Sequence, residues 1–539
     1  MKKFLSVVSL LMALMMLCTS ALANEQKYDE PVTVHFVRST DDTLDANYFS
    51  QHPDKTMTDN LWCDLFRDEL NINVEYDWIV KSGDEYNQKL AAELAVGAIP
   101  EFVNVTALQA KQLYEAGLIM PLDEIYNEYA TEQTKRVMLE TGTSPFDAVT
   151  FDGQLYALPV VDATLMIADL MWIRTDWLEK LNLPVPTTMD ELIATAKAFA
   201  EADFDGNGVN DTIGMAVSKT PWDQLFTLKG FFNAFDSYPE IWVDDGTGKL
   251  VYGSTLPGTK DALATLHQMY VDGLLDPEFA VKDDGKVAEA TTSGKCGIMF
   301  GAQWNSIYPL QNSKNLEPEG QWQAFPIVTA TDHKAKAQTD VGTTAWTVVR
   351  KDCEHPEAVV KMYNLFIDKC WGPNNENGVY YAPLDSESIW KLSPVTPTKP
   401  DKNLKAFLDL EAARQSGDFS QVTGEGYSIL QKLQAFESGS EEGFALWGWE
   451  RIYGAEGAYG VLNYYQENNL TQDMMFVGAP TESMTLYMSY LKDLQNETFV
   501  KIITGEETID AFDQFMENFY ANGGDAITEE VNAWYASLK

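Results

Sequence analysis

The sharpest chemical motif in this chain is Asp203-Phe204-Asp205-Gly206-Asn207-Gly208-Val209-Asn210-Asp211. Asp203, Asp205 and Asn207 occupy positions 1, 3 and 5 of an EF-type loop, Gly208 position 6, the Val209 carbonyl position 7 and Asp211 position 9. Three carboxylates this close repel one another unless a cation joins them, and hard oxygen ligands at this spacing suit Ca²⁺. Position 12 departs from the pattern, because Gly214 has no carboxylate to give. The motif predicts a structural Ca²⁺ held by Asp203, Asp205, Asn207, Val209 and Asp211. An ordinary acidic turn between helix and strand is the competing reading.

A second set of residues combines aromatic rings, which can stack on apolar faces of a ligand, with planar polar groups, which can hold its hydroxyls. Arg38, Asp41 and Asp42 lie just beyond the apolar run Val32 to Val37, and Asn104 sits in the short run Phe102 to Val105. Trp222 follows the strand-like Ile213 to Val217. Trp447 and Trp449 share a face if their segment is extended. Core packing is the rival account of each tryptophan, since large aromatics are mostly buried.

Catalysis finds little support. The five histidines, His35, His52, His267, His333 and His355, share no metal-ligand spacing. There is no G-x-S-x-G elbow, no P-loop and no G-x-G-x-x-G. A spatial carboxylate pair for glycoside hydrolysis has no local signature among 81 acids.

The elements that must position these groups alternate between strand and helix. Val32 to Val37 reads as a strand, Leu61 to Leu70 as a helix and Ile72 to Tyr76 as a strand. Tyr86, Leu90 and Leu94 recur at helical spacing, closed by Gly97 and Pro100. Met171 to Ile173 reads as a further strand, followed by a short helix Asp176 to Leu181. Thr188-Met189-Asp190-Glu191 is a capping box opening a helix. This alternation predicts α/β lobes with mainly parallel sheets, whose ligands sit at the carboxyl ends of the strands.

The bulk numbers set the compartment and size. Lys2 and Lys3, an apolar run from Phe4 to Leu17 and the exit Ala21-Leu22-Ala23 predict a signal peptide over 1–23 and export. Met15-Met16-Leu17 before Cys18 is a poor lipobox, which favours simple secretion over a lipid anchor. About 515 residues then remain, more than one core usually holds. The charge of −43 becomes −45 with Lys2 and Lys3 removed, which argues against a nucleic-acid partner. Cys63, Cys296, Cys353 and Cys370 are too few for a disulfide scaffold, with one bridge, Cys353 to Cys370, left open.

Several longer phrases carry a resemblance. They are Tyr86 to Val103, Gly117 to Asp123, Asp152 to Pro159, Ile173 to Glu191, Ala262 to Pro277, Gly294 to Trp304 and Gly523 to Tyr535. Together they resemble the extracellular solute-binding proteins of carbohydrate ABC transporters, the group of the maltose-binding and alginate-binding proteins. The resemblance implies a two-lobed periplasmic-binding-protein-like fold of type II, hinged at chain crossovers. By analogy, 24–161 and 301–372 form lobe 1, and 162–300 and 373–539 form lobe 2. It also implies Trp304 as a ring that stacks on sugar and Asp162 as an acidic sugar ligand. The expected partners are a sugar or oligosaccharide and ABC permease subunits, and the chain is expected to be a monomeric binding protein. A secreted glycosidase or lyase, or a sugar-binding sensor or adhesin, stands as the alternative.

Overall fold

The computed structural model describes residues 26–40, 44–81, 84–202, 204, 208–209, 211–373, 375–381, 383, 389–422 and 424–538. The expected signal segment 1–23 with Cys18, the candidate contacts Asp41 and Asp42, and the loop ligands Asp203, Asp205 and Asn207 lie outside the described residues.

The elements that matter for function begin with strand β1 (Val32–Ser39), helix α1 (Leu61–Leu70), strand β2 (Ile72–Val80), helix α2 (Asp84–Val96) and strand β3 (Phe102–Val105). Strands β4 (Ala157–Val161) and β5 (Leu170–Arg174) follow, then helices α3 (Thr175–Leu181) and α4 (Met189–Glu201). Next come strands β6 (Ile298–Gly301), β7 (Trp322–Phe325) and β8 (Thr343–Val349), and helix α5 (Ala358–Trp371). The C-terminal part contains helices α6 (Lys402–Ser416), α7 (Gly424–Glu437), α8 (Trp447–Tyr453), α9 (Ala458–Glu467) and α10 (Glu482–Thr504).

Local chemistry explains several boundaries. The Asn60 side chain accepts the Trp62 and Cys63 N–H groups at 3.0 and 3.2 Å, which starts α1. Asn71 ends it in the left-handed conformation at φ 58°. Both halves of the Thr188/Glu191 capping box form at the start of α4.

The chain packs into two compact units. Unit 1 draws on Met1–Glu140, Val149–Val161 and Thr344–Lys399, and unit 2 on Thr141–Ala148, Asp162–Thr343 and Pro400–Lys539. The expected borders differ from this division at three places: 141–148 and 301–343 fall in unit 2, and 373–399 in unit 1.

In unit 1, β1 pairs in parallel with β2, with a register slip between Phe36 and Val37. A second sheet has the order β3-β8-β4, and β8 runs antiparallel to β3 with Thr347 opposite Asn104. In unit 2, β6 and β7 both run antiparallel to β5. The expected mainly parallel sheets are thus corrected. Strands β6, β7 and β8 reach their partners from distant parts of the sequence, so no short β-α-β crossover dictates their direction. Ile213 to Val217 is also not a strand, and makes isolated bridges to Cys296, Leu275 and Met299.

Each unit has its own apolar core. In unit 1, fully buried Trp62 on α1 stacks on Phe366 of α5, ring centroids 4.8 Å apart, and donates its Nε1–H to the Tyr380 carbonyl at 3.1 Å. In unit 2, Trp172, Trp177 and Trp322 are buried. Gly297 lets the backbone run against Trp177, since a Cβ there would lie 2.5 Å from that ring. Cys63, Cys296, Cys353 and Cys370 form no disulfide with one another, so the Cys353 to Cys370 bridge left open by the sequence is not made. Among the described residues, no helix is long and apolar enough to cross a membrane.

Candidate functional site

A pocket of about 290 Å³ opens in unit 1 where β1 and β3 end, lined by Arg38, Tyr76, Tyr86, Asn104, Trp390 and Lys391 among others. Two of the expected contacts, Arg38 and Asn104, meet here. Ligands gather at strand ends because the loops beyond them are free of the sheet's hydrogen-bond ladder.

Arg38 is half-buried and fixed by neutral oxygens. Its Nη2 donates to the Lys391 carbonyl at 2.7 Å, its Nη1 to the Tyr76 hydroxyl and the Leu392 carbonyl at 3.3 and 3.4 Å, and its Nε to the Ser39 carbonyl at 3.4 Å. The guanidinium also lies 5.6 Å from the centre of the Tyr76 ring. Asn104 is oriented from behind. Its Oδ1 accepts from Thr347 Oγ1 at 2.7 Å, and that hydroxyl is 2.9 Å from the Tyr363 hydroxyl. The amide therefore has its Nδ2 hydrogens to offer.

The rings are positioned just as definitely. Trp390 stacks on Tyr381, with centroids 5.9 Å apart and planes 15° apart, and Tyr381 is braced edge-on by Trp371 at 5.4 Å. Tyr86 lies 5.3 Å from Trp78. Burial pushes the Tyr86 phenol up to about 12 and raises that of Tyr76 as well, so both are protonated donors at neutral pH. The pocket combines planar donors with ring faces. Its described lining holds no carboxylate, histidine or cysteine to serve as acid, base or nucleophile. A larger hollow of about 500 Å³ shares Tyr76, but that is its sole ring and its Arg67 is paired to Asp64 at 2.6 Å. Of these two pockets, the smaller brings more rings together with planar donors.

The other expected contacts belong to unit 2. Asp162 accepts the Ala163 N–H at 2.8 Å, and burial pushes its carboxyl up to about 6 despite the opposing pull of Lys402. Half-buried Trp304 sits on a short 3₁₀ turn and donates to Gln224 Oε1 at 3.0 Å. Trp222 donates to Asn496 Oδ1 at 2.6 Å and packs edge-on against Phe232 at 5.2 Å, which ties it to α10.

Trp447 and Trp449 need correction as a same-face pair. Their segment is helix α8, not an extended strand, and two residues apart on a helix point to nearly opposite sides. Trp447 is 1% exposed and belongs to the core. Trp449 stacks on Tyr453 at 5.9 Å with the Lys432 ammonium 4.1 Å from its ring centre. Of the predicted calcium loop, Val209 is exposed and Asp211 Oδ2 lies 2.5 Å from Lys295 Nζ. Phe204 is stacked on Trp177 at 3.9 Å, which anchors the loop to the core.

Sequence reasoning missed Tyr76, Tyr86, Trp390 and Lys391. Tyr76 and Tyr86 were visible as strand and helix residues beside the Arg38 loop. Trp390 and Lys391 reach the pocket from over 300 residues away, and no local pattern announces that.

The chain thus packs as two units, and one of them carries a ring-lined pocket at its strand ends. The chain belongs to the bacterial extracellular solute-binding protein family, which matches residues 55–369. It is 24% identical to the lipoprotein LipO of Bacillus subtilis over 86% of this chain and 87% of that one. It is 23% identical to the polygalacturonan/rhamnogalacturonan-binding protein YtcQ of the same organism, over 87% and 86% of the two chains. Its fold is also that of an EF-hand mutant of the Streptococcus pneumoniae ABC-transporter substrate-binding protein FusA in complex with fructo-nystose. That structure superimposes with a TM-score of 0.63 at 14% identity, covering 94% of this chain and 99% of the other.

Proposed function

We propose that this chain is the exported substrate-binding component of an ABC importer, which captures a sugar or oligosaccharide and delivers it to permease subunits without chemical change. The observation that carries this reading is the unit-1 pocket, where Trp390 and Tyr86 offer ring faces and Arg38 and Asn104 offer planar donors. Pyranoses present one apolar face and a rim of hydroxyls, so this pairing of groups matches them. Family membership and sugar-binding relatives support the same reading.

The unit-2 candidates, Asp162, Trp304 and Trp222, are further contacts under this proposal. The loop from Asp203 to Asp211 is proposed to hold a structural Ca²⁺ through Asp203, Asp205, Asn207 and the Val209 carbonyl, with Asp211 shared with Lys295. A bound Ca²⁺ would neutralise the clustered carboxylates and stiffen the loop that Phe204 pins.

The test is a thermal-shift screen of the purified chain against oligosaccharides. A ligand at 100 times its dissociation constant adds about 2.7 kcal/mol of stability. Failure of every saccharide to shift the transition would remove the sugar-binding reading. Release of new reducing ends would replace it with the glycosidase alternative.

A further inference from the structure

We infer that the unit-1 pocket selects saccharides bearing a carboxylate, short oligouronides in the simplest case, over neutral sugars of equal length. This rests on the sugar-binding reading and adds the ligand's charge to it.

The chain carries 81 acids against 38 lysines and arginines. Against that background, the charged groups of the pocket's described lining are Arg38 and Lys391, both cationic. Five of the other six arginines sit on carboxylates: Arg67 on Asp64, Arg174 on Asp176, Arg350 on Asp352, Arg414 on Glu411 and Arg451 on Glu450. Arg38 differs. Its four hydrogen bonds all go to neutral oxygens, three of them backbone carbonyls, and no described carboxylate lies within ion-pair distance. Those bonds hold the guanidinium in place without neutralising it.

A planar guanidinium held in this way matches a planar carboxylate through two parallel hydrogen bonds. Half-burial strengthens the attraction relative to an exposed pair, because less water screens it. The Lys391 ammonium lies over the Trp390 ring, 5.9 Å from its centre, within the same lining. A uronide presents that combination, an apolar ring face with a carboxylate on its rim. The acidic surface elsewhere repels anions, yet at physiological salt its reach is only about 8 Å. At contact, the nearby Arg38 guanidinium therefore outweighs that distant surface.

Calorimetric titration of the full chain tests this. The probes are di- and trisaccharides of galacturonate, glucuronate and mannuronate, each alongside its methyl ester and its neutral hexose counterpart. At least one acid should bind tenfold or more tightly than its own ester, the equivalent of about 1.4 kcal/mol. Raising NaCl from about 20 to about 300 mM, which shortens the Debye length to below roughly 8 Å, should shrink that ratio. Arg38→Gln should erase the ratio, and Lys391→Gln should reduce it, which supplies a second variant if the first does not fold. Neutral sugars or esters binding as tightly as every acid would overturn the inference while leaving sugar binding intact. So would an acid preference that survives both substitutions. Binding of no saccharide at all would instead bring down the sugar-binding reading.

Discussion

Replacing Asp169 by asparagine should stabilise this protein at neutral pH and leave it unchanged in acid. Asp169 is 2% exposed, its Oδ2 accepts the Gly230 N–H at 2.7 Å, and its Oδ1 is buried without a hydrogen-bond partner. Burial pushes its carboxyl up to about 6, against the opposing pull of the Lys229 ammonium. An unfolded aspartate titrates near 3.9, so between roughly pH 4 and 6 the folded chain keeps a proton the unfolded chain has lost. The stabilisation from this group is therefore complete below about pH 4 and disappears as pH rises through 6. A shift of about two units corresponds to about 3 kcal/mol at neutral pH. Asp169→Asn keeps the acceptor for Gly230 and removes the buried charge, but its new N–H₂ gains no evident partner. The expected gain at pH 7.5 is about 1–3 kcal/mol, shrinking to near zero below about pH 4. Paired urea unfolding of both proteins across this range, followed by tryptophan fluorescence, measures the gap directly. A wild type more stable than the variant at pH 7.5 would refute the reasoning. The ionised carboxylate would then be supporting Gly230 and Lys229 by more than its burial opposes folding.

Trp390→Ala should weaken oligosaccharide binding by about 2 kcal/mol, roughly thirtyfold in Kd, because truncating a pocket tryptophan removes a main anchor. Titration calorimetry checks it, and an unchanged Kd would take Trp390 out of the site. Gly297→Ala should lower unfolding stability by about 1–3 kcal/mol, since the added methyl meets the Trp177 ring at 2.5 Å and the Phe199 ring at 2.7 Å. A differential scan of the variant that matched wild type would show that these rings can move aside. Chelation with EDTA should lower the melting temperature if the Asp203 to Asp211 loop holds Ca²⁺, with recovery on added calcium and none on added magnesium. An unaltered melting temperature would favour the plain acidic turn.

Much of the local structure was legible from sequence because local chemistry decides it. Asn60 and Asn71 bound α1, and Thr188 with Glu191 opens α4, by hydrogen bonds among near neighbours. Periodicity placed β1, β2 and α2 for the same reason. What failed was non-local. Strand direction in the β6-β5-β7 sheet depends on segments more than 120 residues away along the chain, which alternation cannot report. Trp447 and Trp449 looked like a platform only under an extended backbone, and the helical turn of α8 separates them. The strand-end rule pointed to Arg38 and Asn104, which line one candidate pocket. It was silent on Trp390 and Lys391, which are delivered by a chain return. The charge of the pocket was equally hidden, because a net charge of −43 averages over a surface and says nothing of one cavity.

The most direct check on the whole account is equilibrium titration of the purified chain with oligosaccharides, followed by recovery of the ligand after prolonged incubation. Saturable one-to-one binding, with every recovered molecule intact, is the result this account predicts. Recovery of cleaved sugar, or a chain that binds nothing across acidic and neutral panels alike, would contradict it.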